Sequence, residues 1–158
     1  MPARLQPLYF FAMLTLVLDQ LSKWLVVNFI PAGGEIVVIP GFFNLVHVYN
    51  RGSAFGFLNQ SDGDWPRYFF IAASLLTVLI IIHMVKTAKD RSWTMLSGLG
   101  LILGGAFGNL IDRVRLGMVI DFLDFYLGTW RWPAFNIADS GITIGAALLI
   151  ISFYRTKN

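Results

Sequence analysis

Cysteine is absent from the 158 residues, and histidine and charged residues are scarce. Without cysteine the chain can form no disulfide framework, thiolate nucleophile or thiolate metal site. Of the two histidines, His47 lies in a β-type run and His83 lies within an apolar segment. Both are interpreted as structural, because two isolated histidines without clustered acids make a poor metal site and no convincing Ser-His-Asp arrangement. We therefore predict neither a metal nor another cofactor.

Charged residues make up only 13% of the chain, whereas hydrophobic residues make up 56% and mean hydropathy is +0.67. These values lie outside the usual range for a soluble domain. The basic residues are scattered or lie beside apolar segments, so membrane topology explains them better than nucleic-acid binding does. The sequence predicts one all-α integral membrane domain, residues 1–158, that contacts lipid and no nucleic acid.

Four apolar segments are predicted to span a membrane: residues 8–27, 68–85, 93–110 and 138–153. A helix of about 20 residues crosses ~30 Å of hydrocarbon, and four spans place both termini on one side. Lysine and arginine are densest in three short pieces: residues 1–7, 86–92 and 154–158. By the positive-inside rule, we expect both termini to be cytoplasmic and the two long connections to face outward.

Residues 28–66 differ in character from the spans. Proline and glycine punctuate two short β-type runs there, EIVVI (35–39) and NLVHVY (44–49). We predict that this region is a small extracytoplasmic β-rich layer at the membrane surface.

Glycines recur at four-residue spacing in two of the spans: Gly100, Gly104 and Gly108 in the third, and Gly141 and Gly145 in the fourth. Small residues at this spacing let helix backbones approach closely in lipid, and packing alone is the plainer interpretation. If these two spans touch, two polar groups meet at their outward ends: Asn109, Asp112 and Arg113 with Asn136, Asp139 and Ser140.

The stretch 104–145 contains four of the nine acidic residues: Asp112, Asp121, Asp124 and Asp139. Acids at a membrane are costly to keep and are functional candidates by default. We predict that Asp121 and Asp139 form one catalytic site at a membrane surface. The alternative for Asp139 is a helix N-cap. Asp121 and Asp124 would share a face in a helix and lie on opposite faces in a strand.

Three further charges accompany these acids. Asp19 and Lys23 lie four residues apart with the acid first, the favourable order for an ion pair on a helix. Lys23 can also extend toward the near surface. A Ser–Lys mechanism would use Lys23 as a base, but its contact with Asp19 argues against that role. For Arg113 we expect an ion pair with an acid across the site, in preference to a simple interfacial charge.

Two aspartates within hydrogen-bonding reach cannot easily both ionise, so they share a proton. The charged carboxylate then activates water while the protonated one polarises a scissile carbonyl, without a metal or cofactor. One rival function is a proton-coupled transporter with Asp19, Asp121 and Asp139 as a relay, but these acids gather at one mouth and no inverted repeat is found. A second rival, a non-enzymatic scaffold assembled through glycine-lined helices, leaves the polar cluster unexplained.

Five motifs occur in order along the chain: DQLSK (19–23), NRGSAFG (50–56), GGAFGNLIDR (104–113), VIDF (119–122) and FNIADS (135–140). Each is weak alone, but all five at these positions relative to the spans form a specific pattern. Over essentially its whole length the chain thereby resembles bacterial lipoprotein signal peptidase (signal peptidase II), an intramembrane aspartic peptidase.

The resemblance implies that Asp121 and Asp139 are the catalytic pair. Asp124 is not part of that pair, and neither is Asp112, although Asp112 lies within a motif. Other motif positions are implied to bind substrate or to support the site: Asp19, Lys23, Asn50, Gly52, Gly105, Asn109, Arg113, Asn136 and Ser140.

The resemblance also implies the substrate, a prolipoprotein whose lipobox cysteine carries diacylglycerol and which is cut immediately before that cysteine. Inhibition by globomycin-type antibiotics is expected. We expect a monomer in the bacterial cytoplasmic (inner) membrane with its active site near the extracytoplasmic surface. The apolar segment 42–58 is a hypothetical lid over the scissile bond, in which Gly52 and Gly56 would permit movement.

Overall fold

Four long helices make up most of the chain in the computed structural model, which describes residues 5–52, 63–88 and 91–157. They are α1 (Gln6–Phe29), α2 (Trp65–Thr87), α3 (Trp93–Leu116) and α4 (Ile137–Lys157). By length and composition each of the four can cross a membrane. The predicted four-span membrane architecture is therefore confirmed.

The predicted third span ends at residue 110, but α3 continues to Leu116. The prediction stopped before the charged pair Asp112 and Arg113, yet Asp112 is buried within the helix. The helix ends at Gly117, whose φ of 74° is a left-handed conformation that glycine adopts without strain, and whose N–H donates to the carbonyl of Arg113. The other three predicted spans lie inside the observed helices.

The central helix of the bundle is α3, because α1, α2 and α4 all pack against it. Gly98 and Gly105 lie against the backbone of α4, where an added Cβ would clash. Gly100 and Gly104 lie instead against the backbone of α1, and Gly108 lies between the two helices. The third and fourth spans therefore do touch, but through Gly98 and Gly105 and not through Gly100 and Gly104. Positions four apart share one helix face, and this face meets α1.

An antiparallel sheet packs at one end of the bundle. Its strands, in spatial order, are β1 (Glu35–Ile39), β2 (Phe43–Asn50), β3 (Val119–Leu127) and β4 (Trp130–Arg131). The first two confirm the strands predicted within residues 28–66. The other two come from the connection between α3 and α4, which had been left open between helix and strand and had not been assigned to the β-rich layer.

The strand β2 lies between β1 and β3 and pairs with both. Its pairing with β3 shifts between Leu45 and Val48, where two residues of β2 lie opposite one residue of β3. Because β2 is held on both sides, the first half of the segment interpreted as a lid is fixed in the sheet. The remainder, from residue 53 onward, lies outside the described residues.

A buried apolar cluster of Val26, Ile30, Ile120 and Phe122 joins the end of α1 to β3. Burial of each such side chain contributes roughly 1.5–3 kcal/mol. The buried ring of His47 closes the same region, with its Nδ1 2.8 Å from the carbonyl oxygen of Ile30. By contrast, every residue of β1 is exposed, although four of the five are apolar. The sheet is thus fixed to the bundle on one side and presents an apolar edge on the other.

Candidate active site

Asp121 on β3 and Asp139 on α4 meet on either side of the Asn136 side chain. Asn136 Nδ2 donates to Asp121 Oδ1 (2.8 Å), and the N–H of Asp139 donates to Asn136 Oδ1 (2.9 Å). Asn50 Nδ2 donates to the second oxygen of Asp121 (2.9 Å). Asn109 Nδ2 donates to Asp139 Oδ1 (2.8 Å). The structure therefore brings the predicted pair together and surrounds it with neutral amides.

The start of α4 explains why Asp139 lies where it does. Asn136, and not Asp139, is the N-cap of this helix: its side chain accepts the N–H of Asp139, while Asp139 Oδ2 accepts the N–H of Asn136 (3.3 Å). This reciprocal pair is the capping-box arrangement. The alternative interpretation of Asp139 as an N-cap is therefore wrong, because the helix begins at Ile137. Asp139 lies in the first turn, where the helix dipole favours negative charge.

Asp121 is almost completely buried, at 2% exposure. The pKa of its carboxyl is raised from 3.8 to about 7, first by burial and also by the nearby charge of Asp139. The hydrogen bonds from Asn50 and Asn136 and the charge of Lys23 act in the opposite direction. Near neutral pH this carboxyl can therefore hold or release a proton, as general acid–base chemistry requires.

A buried ion cluster lies beside the pair. Lys23 Nζ is 2.8 Å from Asp19 Oδ2 and 2.8 Å from Asp112 Oδ2, and it donates to Asn109 Oδ1 (3.1 Å). The predicted ion pair between Asp19 and Lys23 is present. The other option considered for Lys23, extension toward the near surface, is not taken, since its side chain is 2% exposed. The ammonium turns inward because three acceptors match its three donors there.

The ion cluster fixes the elements that carry the aspartates. Asp19 Oδ1 accepts the N–H of Ala138 (2.9 Å), which directly precedes Asp139. Asp112 Oδ2 accepts the N–H of Ile120 (3.3 Å), which directly precedes Asp121. Each catalytic candidate is therefore held through the backbone of its neighbour as well as through its own side chain.

Two members of this cluster were missed as site residues. Asp112 was assigned no role in the site, and Gln20 was not singled out at all. Gln20 Nε2 lies 3.2 Å from oxygen atoms of both Asp19 and Asp112. A signal was available for Asp112: a buried ammonium needs more acceptors than a single carboxylate provides. For Gln20 the signal was its place within the motif DQLSK, directly after Asp19.

Gly52, Phe70 and Arg113 are stacked at the edge of the site. Gly52 has a φ of 117°, and an added Cβ would collide with the Phe70 ring. Its N–H donates to Asn50 Oδ1 (2.8 Å), so the same amide that holds Asp121 also holds this turn. The guanidinium of Arg113 lies 4.9 Å from the centre of the Phe70 ring. Phe70 could not have been found from sequence, since it is one apolar residue among many in its span.

The expected ion pair of Arg113 with an acid is not found within the described part of the chain. Instead its Nη1 donates to the backbone carbonyl of Asn109 (3.3 Å), one turn earlier on the same helix. Gly105 lies against the carbonyl of Ala138 and allows α4 to approach α3 beside the pair. The hydroxyl of Ser140 donates to the carbonyl of Asn136 (2.9 Å) and so stabilises the start of α4.

The fourth acid of the stretch, Asp124, lies in a separate contact. Its Oδ2 is 3.3 Å from Arg131 Nη1 and 3.4 Å from Asn44 Nδ2. Asp124 is as buried as Asp121, but a cation from β4 accompanies it. Over residues 5–52, 63–88 and 91–157, no group of three or more His, Cys, Asp or Glu side chains could hold a metal ion.

The amino-acid sequence matches known proteins along nearly the whole chain. Residues 11–155 match the family model described as signal peptidase (SPase) II. The chain is 50% identical to the lipoprotein signal peptidase of Oleidesulfovibrio alaskensis, covering 94% of this chain and 95% of that relative. It is 48% identical to the lipoprotein signal peptidase of Nitratidesulfovibrio vulgaris, covering 91% of this chain and 87% of that relative.

A solved structure extends the likeness to the fold. A bacterial membrane enzyme determined by the in meso method at 2.3 Å resolution matches with a TM-score of 0.82 and 30% identity, covering 94% of this chain and 88% of that one. The sequence and structural matches both cover most of each chain. This multi-pass membrane protein therefore belongs to the signal peptidase II family, the peptidases that remove signal peptides from lipoproteins.

Proposed function

We propose that this chain is an intramembrane aspartic endopeptidase that removes the signal peptide from diacylglyceryl-modified prolipoproteins and cuts immediately before the lipid-bearing cysteine. The observation that carries the proposal is the arrangement of Asp121 and Asp139 around Asn136. Two carboxyls held by neutral amides keep the ability to share one proton, which a bound cation would remove. No metal or cofactor is required by this chemistry.

In the proposed reaction one carboxyl of the pair is protonated and the other is ionised. The ionised carboxylate takes a proton from water as the water oxygen attacks the scissile carbonyl carbon, while the protonated carboxyl gives its proton to the carbonyl oxygen. The carboxylate that gave up its proton then recovers a proton from the tetrahedral diol. As the C–N bond breaks, the carboxyl that took its proton from water protonates the leaving nitrogen, so both groups return to their starting states.

The site's position suits a substrate that is itself anchored in a membrane. The pair lies where the sheet meets one end of the helix bundle, and the neighbouring β1 exposes apolar side chains. We place this end at the extracytoplasmic surface of the inner membrane, with both termini cytoplasmic, because basic residues are dense in the opposite connections. A monomer contains every residue that the proposed reaction needs, and a globomycin-type antibiotic would compete for this site.

The test is cleavage of a diacylglyceryl-modified prolipoprotein by the purified protein. Asp121→Asn and Asp139→Asn keep size and polarity but cannot exchange a proton, so turnover should fall by at least about 100-fold in each. Asp124→Asn is the matched control, since Asp124 is equally buried on the same strand and also contacts an asparagine. It should retain turnover.

Two results would remove the proposal. Cleavage by both site variants would exclude an aspartic mechanism. No cleavage by the folded wild-type protein would return weight to a proton-coupled transporter, which a proton-flux assay in vesicles would detect.

The lid proposal needs a separate test, because β2 fixes residues 43–50 in the sheet. The lid hypothesis therefore concerns only the part of segment 42–58 that follows β2. A crosslink from that later part to α4 should abolish turnover. Unchanged turnover after crosslinking would exclude a lid.

A further inference from the structure

Asn109 connects the buried ion cluster to the candidate catalytic pair. Its Oδ1 accepts hydrogen bonds from Lys23 Nζ (3.1 Å) and from Asn136 Nδ2 (3.2 Å). Its Nδ2 donates to Asp139 Oδ1 (2.8 Å). One amide therefore touches the ammonium from α1 at one end and the carboxyl of α4 at the other.

The ammonium of Lys23 decides which way this amide faces. An ammonium has three donors and no acceptor, so only the oxygen of Asn109 can face it. The remaining two donors are matched by Asp19 and Asp112 at 2.8 Å each. A flipped amide would direct two donor groups at each other, so Nδ2 of Asn109 must point at Asp139.

The two carboxyls of the pair differ in their surroundings. Asp139 lies in the first turn of α4, where the helix dipole favours a negative charge. Its carboxyl also accepts hydrogen bonds from Asn109 Nδ2 and from the N–H of Asn136. Asp121 lies on a strand, outside any helix dipole, and is almost completely buried. It accepts from Asn50 Nδ2 and from Asn136 Nδ2, but the Asn136 donor is shared with the carbonyl of Ile120 and with Asn109 Oδ1. These surroundings stabilise a charge on Asp139 and a proton on Asp121.

We infer that Lys23 is a positioning residue that acts through Asn109 to keep Asp139 the ionised member of the pair, with the shared proton on Asp121. The inference rests on the proposed function, in which one carboxyl is charged and the other neutral. Asp139 then takes the proton from water, and Asp121 gives its proton to the scissile carbonyl oxygen. The raised pKa of Asp121, caused first by burial and then by the charge of Asp139, agrees with this assignment.

Charged groups face one another here from four elements. They are Asp19 and Lys23 on α1, Asp112 and Arg113 on α3, and Asp121 on β3 facing Asp139 on α4. Among the described contacts, only Lys23 places a charged group on the side-chain oxygen of Asn109. Changes at Lys23 and at Asn109 can therefore separate amide orientation from the general effect of charge.

The first experiment locates the proton without requiring turnover. The infrared carbonyl stretch of protonated carboxyl groups is recorded while the purified full-length protein is titrated in detergent. We expect a band that titrates near the pKa of about 7, is absent from Asp121→Asn, and persists with a lower midpoint in Asp139→Asn. A band lost in Asp139→Asn and kept in Asp121→Asn would overturn the inference.

The second experiment compares pH profiles of kcat/KM for Lys23→Gln and Asn109→Ala. Glutamine can accept as well as donate, so it frees the amide to flip, and alanine removes the donor. Because a hydrogen bond to the ionised carboxyl of the pair is lost, the acid limb of the profile should move up by about one to two pH units in both variants. The basic limb set by Asp121 should move much less. If both limbs rise together, Lys23 acts as a general charge and the inference fails.

A double variant completes the test. If Lys23 acts only through Asn109, then adding Lys23→Gln to Asn109→Ala should not move the acid limb further. Additive shifts would contradict the inference. Asn44→Ala is the matched control, since Asn44 is a buried asparagine whose amide contacts Asp124, and it should leave both limbs in place. If the wild-type protein cleaves no substrate, the proposed function fails, while the infrared titration still decides which carboxyl holds the proton.

Discussion

Two groups of buried carboxylates lie side by side in this protein, and different partners hold them. Asp19 and Asp112 face the ammonium of Lys23 at 2.8 Å. Asp121 and Asp139 are held by amide and backbone N–H donors, and neither forms an ion pair in the part of the chain that the structure describes. Asn109 contacts both groups, but only the carboxylates of the first group face a cation that neutralises their charge.

The difference separates structural from chemical use of the same side chain. A cation in direct contact with a carboxylate favours its charged form and fixes its geometry, so that carboxylate is a structural element. Amides orient a carboxylate without neutralising it, and burial then raises its pKa toward neutrality. Asp124 follows the first pattern through Arg131, which is why burial alone does not identify a catalytic carboxyl.

The largest expected effect comes from removing the cation of the structural group. Lys23→Met leaves two buried carboxylates without their counter-ion, which should lower the free energy of unfolding by about 3–5 kcal/mol. Thermal unfolding in detergent measures the loss. Combining the change with Asp19→Asn and Asp112→Asn should recover part of it. If the single variant is as stable as the wild-type protein, the cluster does not stabilise the fold.

The next effect concerns the cost of charging Asp121. Its folded-state pKa of about 7 exceeds the ordinary value of 3.8, so its contribution to stability is present below the ordinary range and is lost as pH rises to about 7. That loss is at most about 4 kcal/mol. Asp121→Asn should therefore gain stability relative to the wild-type protein between about pH 4 and pH 8. A difference in unfolding free energy that does not change with pH would contradict this account.

A smaller effect is expected at Asn50. Its hydrogen bond lowers the pKa of Asp121, so Asn50→Ala should raise that pKa further. The basic limb of the kcat/KM profile should then move to higher pH by about one unit. Movement to lower pH would mean that water replaces the amide and reduces the effect of burial.

The smallest effect is expected at the outer pair. The side chain of Arg131 is 55% exposed, and partly exposed ion pairs contribute roughly 0–1 kcal/mol. Arg131→Ala should therefore change stability by less than about 1 kcal/mol and leave turnover within about two-fold. A large loss of turnover would show that Asp124 and Arg131 belong to the site.

The sequence predicted the helices well, because long apolar runs in a lipid solvent have few alternatives. It also predicted that Asn109 meets Asn136 and Asp139, since small residues of α3 let α4 approach, whereas Asp121 was paired with Asp139 from carboxylate chemistry and the family resemblance. It could not predict that the segment after α3 completes the sheet begun by β1 and β2. That pairing joins residues about 80 apart, as between Asn44 and Asp124.

Side-chain direction was the other limit. Lys23 and Arg113 are both long cations near helix ends, and sequence gives each the same choice between the surface and the interior. Lys23 turns inward because acceptors from two helices surround it. Arg113 lies instead over an aromatic ring contributed by α2. Both outcomes depend on residues distant in sequence, so local pattern alone does not decide them.

The ion pair of Asp19 with Lys23 also bears on how the chain enters a membrane. Asp19 reaches its final partner, the N–H of Ala138, across 119 residues of sequence. During synthesis α1 is complete before α3 and α4 exist, so neither Ala138 nor Asp112 can then satisfy its charges. A counter-ion one turn away lets α1 insert as a nearly neutral helix. The ion pair that anchors the finished site thus also lowers the cost of inserting α1 into lipid.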